Sequence, residues 1–169
     1  WKVKADFYLT YAWTERVRFC APIVSPALST SISSIHDRLR LYEKQNNIQN
    51  IITKPKDVLI FLDMLAEERK NDLSSMFILK IYQAEQMDRL GFAAQASAII
   101  KVAILLDVHP TWRNIANFKY KVLENEQLLL KEAIIAIKET MRKDEYELNE
   151  WPSSIYLIGE LHRRIGLFS

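Results

Sequence analysis

Apolar residues recur along most of this chain at intervals of three and four, the spacing of a helix that buries one face. Val58, Phe61, Leu62 and Leu65 follow it after Pro55, a residue suited to a first helical turn, and the run ends in the charged stretch EERKND. Ile35, Leu39 and Tyr42 mark a shorter helix before it, with Ser34 and Asp37 spaced like a capping box. Downstream, Asp72 is placed to cap a helix that buries Phe77, Ile78, Ile81, Tyr82 and Ala84, and Gly91 to end it in a left-handed conformation. Residues 92–108 predict the next helix, apolar on most sides and therefore expected to be central. His109-Pro110 breaks it. Trp112, Ile115, Phe118 and Val122 mark a further helix, and Leu129, Ala133, Ile134 and Ile137 another, either separated near 124–126 or continuous with it. KDEYELNEW reads as a polar link, and Pro152 opens the last helix.

The first segment follows a different pattern. Every odd position from Trp1 to Trp13 is apolar, and the alternation resumes at Val17, Phe19, Ala21 and Ile23. A period of two in residues of this type favours a half-buried strand, and so a possible β-hairpin. A helix would instead put Trp1, Ala5, Tyr8 and Ala12 on one stripe. Because a lone hairpin is not stable, the aromatic segment 1–24 is also a candidate surface for self-association. SPALSTSISS, rich in Ser, reads as a connector. The expected organisation is a strand-like segment and connector over 1–34, followed by a helical domain over 35–169.

Composition narrows the function classes. Three glycines in 169 residues are too few for a fold built on many tight turns, so the chain is expected to be mainly α. A net charge of +2, with both signs interspersed, argues against a dedicated nucleic-acid binder. The most apolar stretch, AAQASAIIKVAILL, is broken by Lys101 and too short to span a bilayer. Cys20 is the only cysteine, which excludes an intrachain disulfide and is compatible with a reducing compartment such as the cytoplasm. The chain begins at Trp1 and stops at Ser169, as an excerpt of a longer one would.

MDRLGFAAQASAIIKVAILLDVHP, residues 87–110, resembles the tetratricopeptide repeat (TPR) family. The resemblance implies antiparallel helix pairs, with Gly91 at the turn, Ala84, Ala96, Ile100 and Ala103 at the packing positions, and Pro110 closing the unit. Lys80 and Gln83 depart from it, standing where the family prefers large apolar residues. Placing Gly166 at the same turn makes YLIGELHRRIG another first helix, with Ile155, Ile158, Gly159 and His162 on its packing positions. That segment also resembles the closing part of an uncharacterised bacterial family with repeat-like helices. The implied fold is a short TPR-like α-solenoid, whose stacked pairs form a concave groove.

Candidate chemistry is sparse. Glu160, His162, Arg163 and Arg164 are adjacent in sequence, but helical spacing assigns His162 to the isoleucine stripe and Glu160 to an ion pair with the arginines. His36, His109 and His162 show no metal-ligand spacing, and no phosphate-binding glycine loop or nucleophile motif occurs. No catalytic residue, cofactor or metal is expected. The expected function is a non-enzymatic interaction or scaffold module that binds a partner peptide or helix. Lys80, Gln83 and Arg163 are its candidate groove contacts. A structural or self-assembling subunit of a larger complex is the alternative.

Overall fold

The protein was analysed as a computed structural model, which describes residues 7–12, 19, 25–142 and 151–166. These form seven helices: α1 (residues 7–12), α2 (Ser29–Gln45), α3 (Pro55–Glu68), α4 (Leu73–Arg89), α5 (Ala93–Leu105), α6 (Pro110–Arg142) and α7 (Trp151–Arg164). Short 3-10 turns at Pro26–Leu28 and Ile51–Thr53 precede α2 and α3. Among the described residues there is no strand.

The first segment therefore departs from the expected hairpin. Tyr8, Leu9 and Ala12 are on one helical face and join a hydrophobic cluster with Ile134, Ile137, Leu161 and Ile165. Burial at positions i, i+1 and i+4 needs a period near 3.6, which an extended strand does not supply. Trp1, Trp13, Cys20 and most of the second alternating run lie outside the described residues.

The serine-rich connector is also helical. Leu28 and Ile35 are buried, and Ile32 packs against the same core, so one apolar stripe carries α2 back to Ser29. Ser34, expected to cap the helix, instead accepts a hydrogen bond from Arg69 at 2.8 Å. Pro55 opens α3, and Val58, Phe61, Leu62 and Leu65 face inward. Asp72 caps α4, accepting from the Ser74 and Ser75 amides at 3.2 and 3.4 Å. The Ser75 hydroxyl, donating at 2.6 Å, is the main cause that holds the Asp72 carboxyl below its ordinary range.

Consecutive helices from α3 to α7 pack as neighbours, and α4 also lies against α2. The central helix is α4 rather than α5. Val102 and Leu105 of α5 face solvent, whereas α4 buries Ser75, Gln83, Glu85, Gln86 and Asp88 beside its apolar residues. Hydrophobicity alone misplaces the centre, because Gln83, Glu85 and Asp88 of α4 are buried with partners on its neighbours. The helical run after Pro110 is continuous over 33 residues, about 50 Å at 1.5 Å per residue. Its first half supplies Ala116, Val122 and Leu123 to the larger core cluster. Its second half supplies Leu130, Ala133, Ile134 and Ile137 to the smaller one.

At the end of α4, the Gly91 amide bonds to Asp88 O and the Phe92 amide to Met87 O, both at 2.9 Å, the paired bonds of a Schellman turn. Gly91 has φ +87°, and a Cβ there would lie 2.6 Å from Nη2 of Arg163. Gly159 is the opposite case, since a Cβ would meet nothing within 4 Å. Gly91→Ala is expected to destabilise the protein by about 1–3 kcal/mol. Gly159→Ala should stabilise it by about 0.5–1 kcal/mol through helix propensity. Urea unfolding of the two variants beside the parent checks both signs.

Candidate functional site

Helix α7 turns its face one residue away from the expected stripe. Ser154, Leu161 and Ile165 are buried, and Leu157 and Ile158 pack against the smaller cluster. Ile155 is 58 % exposed, His162 is half-buried outside that cluster, and Gly159 is exposed and touches no neighbour. The cause is Arg164, which shares the inward face with Leu161 and Ile165. Its guanidinium donates to Asp88 Oδ1 at 2.7 Å and, through Nε, to Glu126 Oε1 at 2.8 Å. Asp88 and Glu126 are buried and the arginine nearly so. Arg163 pairs with Glu160 as expected, at 3.0 Å, but Arg164 does not.

Both arginines also reach the last turn of α4. Arg163 donates to Leu90 O at 3.2 Å, and Arg164 to Asp88 O at 3.3 Å. These carbonyls belong to a helix C-terminus, where acceptors lack intrahelical donors and the dipole favours cations. Arg163 further lies 5.1 Å over the Phe92 ring. Gly166, with φ +78°, ends α7 where a Cβ would meet Ala94 Cβ at 3.0 Å. The two glycine turns thus sit against each other's neighbouring helices.

A second buried pair lies farther up α4. Lys119 donates to Phe19 O at 2.6 Å and pairs with Glu85 at 3.4 Å. Burial pushes the Glu85 carboxyl above its ordinary value, and Lys119 opposes that shift. Gln83, expected to face a groove, is buried and donates to Asp63 at 2.9 Å across the α3–α4 contact. Lys80 is half-buried on α4. Ala84, Ala96, Ile100 and Ala103 are fully buried.

Glu85 also borders a cavity of about 110 Å³ between α2, α3 and α4. Its apolar lining comes from Ile35 and Leu39 of α2 and Val58, Phe61 and Leu62 of α3. Tyr82, Glu85, Gln86 and Arg89 contribute a polar wall at positions i, i+3, i+4 and i+7, one face of α4. At this wall the Tyr82 hydroxyl is 3.4 Å from His36 Nε2, with the two rings stacked. Arg89 donates to Ile52 O at 3.2 Å and ties the 3-10 turn to the pocket. Burial, with Glu85 nearby, pushes the Tyr82 phenol up to about 12, so it stays neutral.

Sequence reading placed Tyr82 on the buried side but missed the rest of this wall, because Glu85, Gln86 and Arg89 look like the solvent face of an ordinary amphipathic helix. The available signal was the density of polar residues in IYQAEQMDR, a segment flanked by apolar helices on both sides. Among the described residues, no group of three His, Cys, Asp or Glu is placed to hold a metal ion. No described helix is long and apolar enough to cross a membrane. Comparison with known protein families, curated proteins and solved structures returns no match.

Arg164→Met leaves the buried Asp88 and Glu126 carboxylates without their shared guanidinium. Its expected cost is about 3–5 kcal/mol, measured by urea unfolding. The Glu85 shift gives a pH signature. With its folded value raised above that of the unfolded chain, Glu85 holds its proton longer when folded. Its contribution is therefore full below the unfolded value near 4.5 and is lost as pH rises through the folded value. Stability measured from pH 4 to 8 should fall more steeply with pH in the parent than in Glu85→Gln. Parallel profiles would remove the raised carboxyl from the account.

Proposed function

We propose that this chain is a non-enzymatic interaction module, a short TPR-like array of antiparallel helix pairs. It holds one anchor side chain of a partner peptide or helix in the pocket between α2, α3 and α4. The size and lining of that pocket carry the reading. At about 110 Å³ it is well below the roughly 300–1,000 Å³ of sites that enclose a whole small molecule. It matches a single inserted side chain, the arrangement by which a few anchors supply most of an interface's binding energy.

The surroundings support the same reading. Ile52, which lines the pocket, is 63 % exposed and offers apolar contact to a chain crossing the mouth. Lys80 and Arg163 do not line this pocket, and Arg163 is held by Glu160 and Leu90 O. Gln83 does not line it either, and its amide is committed to Asp63.

Peptides selected from a random displayed library against the full chain test the proposal. Binding measured by fluorescence anisotropy should weaken about 10-fold or more in Ile52→Trp, where the larger side chain obstructs the mouth. Ile135→Trp, on the exposed face of α6, should leave it unchanged. Equal binding to the parent and Ile52→Trp across the selected peptides rules the pocket out as the anchor site.

A further inference from the structure

We infer that the anchor this pocket accepts is an uncharged aliphatic side chain, that of leucine, isoleucine or methionine, in preference to an aromatic ring. The inference rests on the pocket being the partner site. Ile35, Leu39, Ile52, Val58, Phe61 and Leu62 make up most of the lining, so an aliphatic group entering it removes apolar surface from water on both sides. Volume then decides between aliphatic and aromatic. An enclosed apolar cavity of about 150 Å³ is what a benzene molecule fills. This one offers about 110 Å³. Nor can its walls readily recede. Ile35, Phe61 and Leu62 are at most 1 % exposed and belong to the larger core cluster, so moving them outward compresses close-packed neighbours. A phenyl or indole ring would stop part-way, with apolar surface left in the mouth.

The wall on α4 supplies the second selection. Three of its four polar residues are already engaged: Tyr82 faces His36, Glu85 pairs with Lys119, and Arg89 holds Ile52 O. A charged anchor would give up its hydration for a chamber whose ionic groups have partners already. A hydroxyl or amide anchor would lose water against side chains that carry no polar atom. Gln86 is the one residue of the wall whose amide such an occupant could meet, a single group against an apolar majority. An aliphatic side chain has no polar atom to satisfy, and it leaves the existing contacts of the wall as they are.

The test titrates N-acetyl-leucinamide, N-acetyl-phenylalaninamide and N-acetyl-lysinamide into the full chain, followed by amide-resolved NMR. The leucine probe is expected to shift the resonances of Val58, Leu62 and Tyr82 saturably and to bind about 10-fold tighter than the phenylalanine probe. The lysine probe should leave those resonances unmoved. Leu39→Ala, at a half-buried lining position, enlarges the chamber and should bring the phenylalanine probe level with the leucine one or above it. Equal or tighter binding of the phenylalanine or lysine probe to the parent overturns the inference. So does the lack of a saturable shift from the leucine probe, or an order unchanged in Leu39→Ala. Should the selected peptides depend on Ile52 while anchoring through Phe or Trp, the pocket remains the partner site and only the aliphatic assignment falls. Should the leucine probe fill the pocket while no selected peptide responds to Ile52→Trp, the partner reading falls and the preference of the chamber stands.

Discussion

The burial of one guanidinium fixes the relation of three helices. Arg164 of α7 lies between Asp88 of α4 and Glu126 of α6, where burial makes each charge expensive unless it is paired. Desolvation offsets much of the attraction, so the pair acts chiefly through what it disfavours. Rotating α7 by one residue would withdraw the guanidinium from both carboxylates and bring His162 toward an apolar cluster. The same cluster of charge lies where α6 passes from the larger hydrophobic core to the smaller. Continuity of α6 joins the two cores, and the ion pairs set how α4 and α7 meet it.

Helix α4 answers a different demand on each side. Gln83 is spent on α3, Glu85 on α6 and Asp88 on α7, while Tyr82 turns to α2. A helix buried in this way cannot use a single apolar face to find its place. Its polar residues must each meet a specific partner, and this distribution leaves the Gln86 oxygen as a remainder beside an apolar cavity. The polar character of the pocket wall is therefore a by-product of how the central helix is seated.

Much of the fold was legible from spacing and caps. The inward face of α3, the Asp72 cap, the Gly91 turn and the break at Pro110 all depend on residues within a turn or two of one another. The failures are long-range. Neither the alternation at Trp1–Trp13 nor the serine content of 25–34 competes with helical stripes that find a surface to cover, as Tyr8, Leu9 and Ala12 do. In α7, the isoleucines set a reasonable stripe, and only the acceptors on α4 and α6 decide that Arg164 turns inward in place of His162. The pocket was illegible for the same reason, since Leu39, Phe61 and Gln86 meet only once three helices have packed.

Gly91 carries more than its turn. Its φ of +87° restricts the backbone, and the space beyond its Cα is occupied by the Arg163 guanidinium. The two restrictions have different owners: the first belongs to the end of α4, the second to α7. Position 91 is therefore restricted twice over, once by its own backbone and once by a neighbour from α7. Loss of the arginine would free the volume but not the dihedral angle, so a lineage that discards Arg163 remains bound to glycine by its backbone alone.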